Sequence, residues 1–155
     1  MLKIRTAHFP AEKALVVALL SEYEQSLGIR LCFQCFATEL ETLESFYLRI
    51  WLLDPQDGTG AMGCVALREA APGVAEMKRL YAATSVRGQG WGRRLAQTAI
   101  AEARALGYQE LILDTIEARM PAAVALYRDL GFQQYGRRQV AGHELLDLKL
   151  MLGNG

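Results

Sequence analysis

The chain lacks most features that would tie it to a polymeric partner or a specialised compartment. Its 17 basic and 17 acidic side chains cancel, so there is no overall basic field to draw nucleic acid or an anionic membrane, and neither is expected as a partner. The longest apolar run of the first helical segment, Ala14 to Leu20, is far too short for a bilayer span, and the N-terminus has no signal-peptide cleavage pattern. A cytoplasmic location is the resulting expectation. Cysteine is scarce and odd in number, at positions 32, 35 and 64, which suits a reducing compartment better than a disulfide framework. Cys32-Phe33-Gln34-Cys35 has redox or zinc spacing. Zinc would need two more ligands, however, and the two histidines, His8 and His143, stand far away in sequence. No metal is expected. Repeats, low-complexity tracts and long linkers are also missing. With 155 residues, 52% of them hydrophobic, one domain over 1–155 is expected, able to bury roughly 70% of its unfolded surface without staples.

What is present is a glycine-rich loop with arginines on both sides, Val86-Arg87-Gly88-Gln89-Gly90-Trp91-Gly92-Arg93-Arg94-Leu95. Glycine permits positive φ and lets a ligand approach with no Cβ in the way, so successive N–H groups can line one concavity. A helix starting at about Gly90 would add its free N–H groups and the positive end of its dipole. Such a loop suits a phosphate or pyrophosphate. Spacing separates the phosphate-loop types. A Walker loop needs Lys-Ser or Lys-Thr after the glycines, and none follows. A dinucleotide fingerprint needs glycine three residues after Gly90, where Arg93 stands. The remaining pattern is Arg87-x-x-Gly90-x-Gly92, and a plain glycine turn capped by surface arginines is the bland alternative.

The rest of the chain reads as alternating elements. Leu2 to Ala7 alternates as a half-buried strand. After Pro10, a natural first-turn residue, Ala14, Leu15, Ala18, Leu19, Tyr23 and Leu27 recur at helical spacing, with Gly28 as C-cap. Cys32 to Leu43 fits a second short helix whose aromatics serve either core or pocket. Phe46 to Leu53, Ala61 to Arg68 and Val74 to Ala82 read as three successive antiparallel strands divided by Gly- and Pro-containing turns. Beyond the glycine loop, Leu95, Ala96, Ala99, Ile100, Ala103 and Leu106 make an apolar helical stripe ending at Gly107. Leu111 to Asp114 is a buried strand reached by a crossover. Pro121 opens another helix that ends at Gly131, and Gln133–Tyr135 and Glu144–Leu152 read as two last strands.

The loop motif resembles the acetyl-CoA loop of the GNAT N-acetyltransferase family. A second family signature, A-x-x-L-Y-x-x-x-G-F, is matched by Ala123, Leu126, Tyr127, Gly131 and Phe132, with one strand between the two motifs. The resemblance covers nearly the whole chain. It implies an α/β fold with a mixed sheet in the order β-α-α-β-β-β-α-β-α-β-β, and an acetyl-CoA wedge between the fourth and fifth strands. It also implies acetyl-CoA as co-substrate, gripped by backbone groups of Leu80, Tyr81 and Ala82 along the pantetheine. The pyrophosphate would lie on the segment Arg87, Gly88, Gln89, Gly90, Trp91, Gly92 and Arg93, and Tyr127 would approach the thioester sulfur.

A thioester is already activated, so acylation by direct attack needs a neutral amine, a held carbonyl and a proton for the leaving thiolate. The phenol of Tyr127, with an ordinary pKa near ~10, can supply that proton, or its ring can merely pack on the sheet. Glu76 occupies a position where related enzymes with protein amine substrates often carry a catalytic glutamate; it is either the base or half of an ion pair with Lys78 or Arg79, a water chain then serving as base. Asp114 and Glu22 are weaker candidates. Tyr23, Phe33 and Gln34 are the expected acceptor lining, with Cys32, Phe36, Arg137 and His143 nearby. That mixture suits a small-molecule amine or amino-acid-like acceptor. Acetylation of a protein amine and a non-catalytic CoA-binding or interaction module are the alternatives, and a homodimer is compatible with a terminal strand.

Overall fold

Residues 1–28 and 36–153 are described by a computed structural model. Within them the chain forms β1 (Lys3–Thr6), α1 (Lys13–Leu27), α2 (Phe36–Glu41), α3 (Leu43–Phe46), β2 (Arg49–Asp54), β3 (Gly63–Ala71) and β4 (Val74–Ala82). These are followed by α4 (Trp91–Ala105), β5 (Glu110–Thr115), α5 (Pro121–Asp129), β6 (Gln133–Val140) and β7 (His143–Met151). All seven strands join one mixed sheet in the order β1-β2-β3-β4-β5-β7-β6. Only β4 and β5 run parallel, joined by the α4 crossover; the other neighbours are antiparallel.

The near-continuous apolar runs of the central strands have a direct cause: both faces of the sheet are covered. On β3, Val65 and Leu67 point to one face, where they meet Leu95, Ala96, Ala99 and Ala103 of α4 together with Tyr127 and Phe132. Cys64 and Ala66 point to the other, where they meet Val16, Leu19, Leu20 and Tyr23 of α1. The α4 stripe recurs at three- and four-residue spacing, and five of its six expected residues are buried; Leu106, past the end of the helix, is exposed.

Several boundaries differ from the sequence expectation. Helix α1 begins at Lys13 rather than directly after Pro10, and ends as expected on Gly28 at φ 72°. The run expected as strand from Phe46 starts only at Arg49, because Leu43–Phe46 forms an extra helical turn. The sixth strand runs on to Val140, well past Tyr135, and turns at Ala141-Gly142 with φ of 50° and 82°, the signs a tight hairpin turn requires. Its residues are mostly exposed, so it carries no apolar alternation to read.

Strand β4 contains an irregularity that no local pattern announces. Cys64 pairs with Tyr81 and Ala66 with Lys78, so two steps on β3 face three on β4. The extra residue falls at Arg79, whose φ is 61°, a bulge of the kind that re-aims side chains. As a result Met77 and Leu80 serve the α4 face while Tyr81 serves the α1 face. The side chain of Arg79 turns to α2, where its Nη2 and Nε donate to the two carboxylate oxygens of Glu39 at 2.7 and 2.9 Å. Tyr47 donates its hydroxyl to the same carboxylate at 2.6 Å. The Arg79 and Glu39 side chains are only 4% and 1% exposed, so the two charges are desolvated together. Removing one partner of such a pair strands the other, at a typical cost of about 3–5 kcal/mol. Glu39→Ala is therefore expected to lower the stability measured by urea denaturation by about that amount, whereas Glu44→Ala, whose partner Lys13 is a surface residue, should leave it nearly unchanged. Equal effects would contradict the role given to the buried pair.

Candidate active site

The site begins where the two parallel strands part. Val74, Ala75 and Glu76 pair with Glu110, Leu111 and Ile112, and the pairing stops there. Beyond it, Met77–Ala82 and Leu113–Thr115 line a gap. One cavity of about 40 Å³ lies in it, lined by residues that include Tyr23, Lys78, Leu80, Asp114 and Tyr127. A second, of about 330 Å³, shares Tyr23, Leu27, Leu80 and Met120 with the first. It runs past Tyr81, Ala82, Arg87 and Gly92 to the start of α5 at Pro121–Ala123. A channel thus leads from the glycine loop to Tyr127.

The loop itself has the conformation that its glycines permit. Gly88 and Gly90 sit at φ 80° and 85°, and Gly90 is the N-cap of α4. A Cβ on either would meet no atom within 4 Å. Their space is therefore open, and backbone conformation, rather than crowding, calls for glycine there. The helix offers its unpaired N–H groups to that open side. The arginines of the loop are engaged. Arg87 Nε donates to the Ala82 carbonyl at 2.8 Å, Arg93 pairs with Asp129 at 2.5 Å, and Arg94 lies 4.2 Å over the Trp91 ring. Arg87 thereby ties the loop to the end of β4, which neither motif announces. It also occupies the Ala82 carbonyl, one of the backbone groups expected to serve the pantetheine.

Tyr127 is buried, and its ring centroid lies 5.8 Å from that of Phe132. Burial, with a smaller contribution from Tyr23, raises its phenol above the ordinary range, so the group stays protonated at any working pH. Tyr23 is also buried, lines both cavities, and packs edge-on to Tyr81 at 5.7 Å. The Tyr81 hydroxyl donates to Glu22 at 2.6 Å, and burial and this carboxylate push it up to about 12. Phe36 packs under the Arg79 guanidinium at 5.1 Å. Phe33 and Gln34, with Cys32 and Cys35, lie outside the described residues.

For Glu76 the structure corrects the expected ion-pair partner. Neither Lys78 nor Arg79 holds it: Arg68 of β3 does, at 2.7 Å, because Arg79 is committed to Glu39. Glu76 is not among the described residues that line either cavity. Asp114 lines the smaller one and accepts from Arg138 at 3.0 Å. Arg138 also reaches Asp147 at 2.7 Å. Arg137 and Glu144, by contrast, form a surface pair at the far end of the β6–β7 hairpin. Among the described residues no group of three or more His, Cys, Asp or Glu side chains is placed to hold a metal, and no helix is long and apolar enough to cross a membrane. Cys64 is enclosed, and burial pushes its thiol up to about 12. It donates to the Arg79 carbonyl at 3.2 Å, an inert environment for a nucleophile.

The profile of the acetyltransferase (GNAT) family matches residues 15–132. The chain belongs to the GNAT family. It is an N-acetyltransferase of that type, with acetyl-CoA as co-substrate. It is 37% identical over 119 residues to an uncharacterised N-acetyltransferase of Schizosaccharomyces pombe, covering 74% of this chain and 72% of that one. To an IAA acetyltransferase of Azospirillum brasilense it is 33% identical over 123 residues, 78% of each chain. Among solved structures, a GNAT acetyltransferase of Staphylococcus aureus superposes with a TM-score of 0.78 at 17% identity, over 98% of this chain and 99% of that one. A Salmonella typhimurium acetyltransferase, solved with acetyl-CoA, superposes at 0.71 and 16% identity over 100% of this chain and 96% of that one.

Two outcomes follow for this GNAT chain. Gly90→Val should weaken CoA binding by about tenfold or more in isothermal titration, since a β-branched residue resists positive φ and its side chain would enter the open side of the loop. Unchanged affinity would remove the loop from the cofactor site. In native protein at pH 8, iodoacetamide should leave Cys64 unmodified when followed by peptide-resolved mass spectrometry, and modify it once the protein is denatured; rapid native labelling would show that the enclosed thiol is accessible.

Proposed function

We propose that the protein moves the acetyl group of acetyl-CoA onto the primary amine of a small, amino-acid-like acceptor by direct attack in a ternary complex. The observation that carries this reading is the placement of Tyr127, a phenol that burial keeps protonated, in the gap where β4 and β5 separate. The residues present fit acetyl-CoA. The unpaired edge of β4 at Leu80–Tyr81 offers backbone groups to an extended amide chain, as an added strand would take them. The open side of Gly88–Gly92 offers N–H groups to phosphate.

In this scheme the chain contributes position and proton management. The β4 edge holds the thioester carbonyl, and a backbone N–H there stabilises the oxyanion as the amine attacks. The C–N bond forms, the C–S bond breaks, and Tyr127 gives its proton to the departing sulfur, recovering one from solvent afterwards. Burial makes the phenol the weaker acid, and the same desolvation raises the basicity of the departing sulfur, so the proton passes as the C–S bond breaks. The proton lost by the amine leaves through water toward the polar side of the gap. Glu76, bound to Arg68 and away from the cavity lining, is not the required base. Cys64 takes no part, and no acyl-enzyme is formed.

Removing the donor should therefore separate turnover from binding. Tyr127→Phe is expected to reduce kcat by about 10²-fold or more, the usual contribution of general acid catalysis, with CoA affinity within about twofold by titration. Glu76→Gln should retain activity within about tenfold. Full activity of the phenylalanine variant would end the acid assignment, and loss of all turnover in the glutamine variant would restore Glu76 as base. Selective CoA binding with no acetylation of any small amine would favour a CoA-binding module instead.

A further inference from the structure

Among the described residues, one charge lining the small cavity has no bonded counterpart. Arg79 is matched by Glu39 at 2.7 Å, Glu76 by Arg68 at 2.7 Å, and Asp114 and Asp147 by Arg138 at 3.0 and 2.7 Å. Lys78 lines the same cavity from β4, is half-buried, and forms no ion pair or hydrogen bond with any described residue. Lys78 alternates with Met77 on β4 beyond the last pair with β5 and so faces the gap, while the bulge at the next residue sends Arg79 to α2. Burial and the neighbouring Arg79 both lower its affinity for the proton, while Glu76, Asp114 and Glu39 favour the charged form from a distance. An ammonium kept partly out of water with no hydrogen-bonded partner is costly unless another molecule supplies the anion.

We infer that Lys78 binds the carboxylate of the acceptor, so that the enzyme selects α-amino acids over amines of the same side chain that lack the acid group. This rests on the acetyl-transfer reading above. The cavity of about 40 Å³ has room for a group of carboxylate size, since one water needs only roughly 10–15 Å³ on the same measure. Asp114, anchored by Arg138, stands on the opposite strand to receive the ammonium form of the acceptor amine before it loses its proton. A Lys–Asp pair split across the gap thus presents both signs that a zwitterion carries, and both side chains come from strands rather than loops.

The test compares initial rates on L-amino acids with those on their C-terminal amides, with acetyl-CoA and thiol release as readout, for the wild type, Lys78→Met and Lys78→Arg. The inference expects the wild type to favour acids over the matching amides by about tenfold or more in kcat/KM, the worth of a charge-assisted hydrogen bond. Lys78→Met should abolish that preference by raising KM for the acid, with kcat within about threefold and CoA affinity unchanged by titration. Lys78→Arg should keep part of it. Amides used as well as acids by the wild type would overturn the assignment, as would a Lys78→Met variant that loses kcat equally on both, which marks a proton-transfer role. Acetylation of neither class by a protein that binds CoA would reject the small-acceptor reading itself, and the assignment with it.

Discussion

Two parallel strands that stop pairing after three residue pairs leave backbone donors and acceptors unmatched on the facing edges of β4 and β5. Backbone polar groups inside a protein are almost always paired, so under the proposed function this edge is where the amides of the cofactor would add as a strand. The remaining architecture serves that opening. Helices α4 and α5 close one face around it and α1 closes the other. The glycine loop, tied to the end of β4 by Arg87, puts the N-terminus of α4 at its mouth.

The bulge at Arg79 lies beside this opening, just past the last β4–β5 pair. Positive φ at a long side chain is unfavourable in isolation, yet here the same residue makes a two-point contact with Glu39 that also takes the Tyr47 hydroxyl. The backbone irregularity and the buried ion pair support each other. Together they fix α2 beside the cavity. A regular strand would carry Leu80 and Tyr81 to the opposite faces, and the lining of the gap would change.

The fold was largely legible because its main signals are periodic or local. The α4 stripe, the Gly28 stop and the Pro121 start each need only neighbouring residues to be read. The glycine loop and the Leu126-Tyr127…Gly131-Phe132 motif located the mouth and the inner end of the channel. What stayed hidden depends on contacts between distant parts of the chain. Glu39 and Arg79 lie 40 positions apart in sequence, and nothing in the run Met77-Lys78-Arg79-Leu80 marks the residue that bulges. The Arg68 partner of Glu76 stands across a hairpin whose register only the sheet defines. Strand β6 beyond Tyr135 was missed because an exposed, arginine-rich strand has no hydrophobic alternation to show. Phe33 and Gln34 belong to a stretch outside the described residues.

The most direct test of the account is amide hydrogen exchange of the protein with and without CoA. Slowed exchange confined to the free edge of β4 at residues 78–82 and to the loop at 88–93 is expected, because those N–H groups gain partners in the complex. Protection that falls elsewhere, or none at β4 when CoA is bound, would contradict the claim that the parted strands are completed by the cofactor.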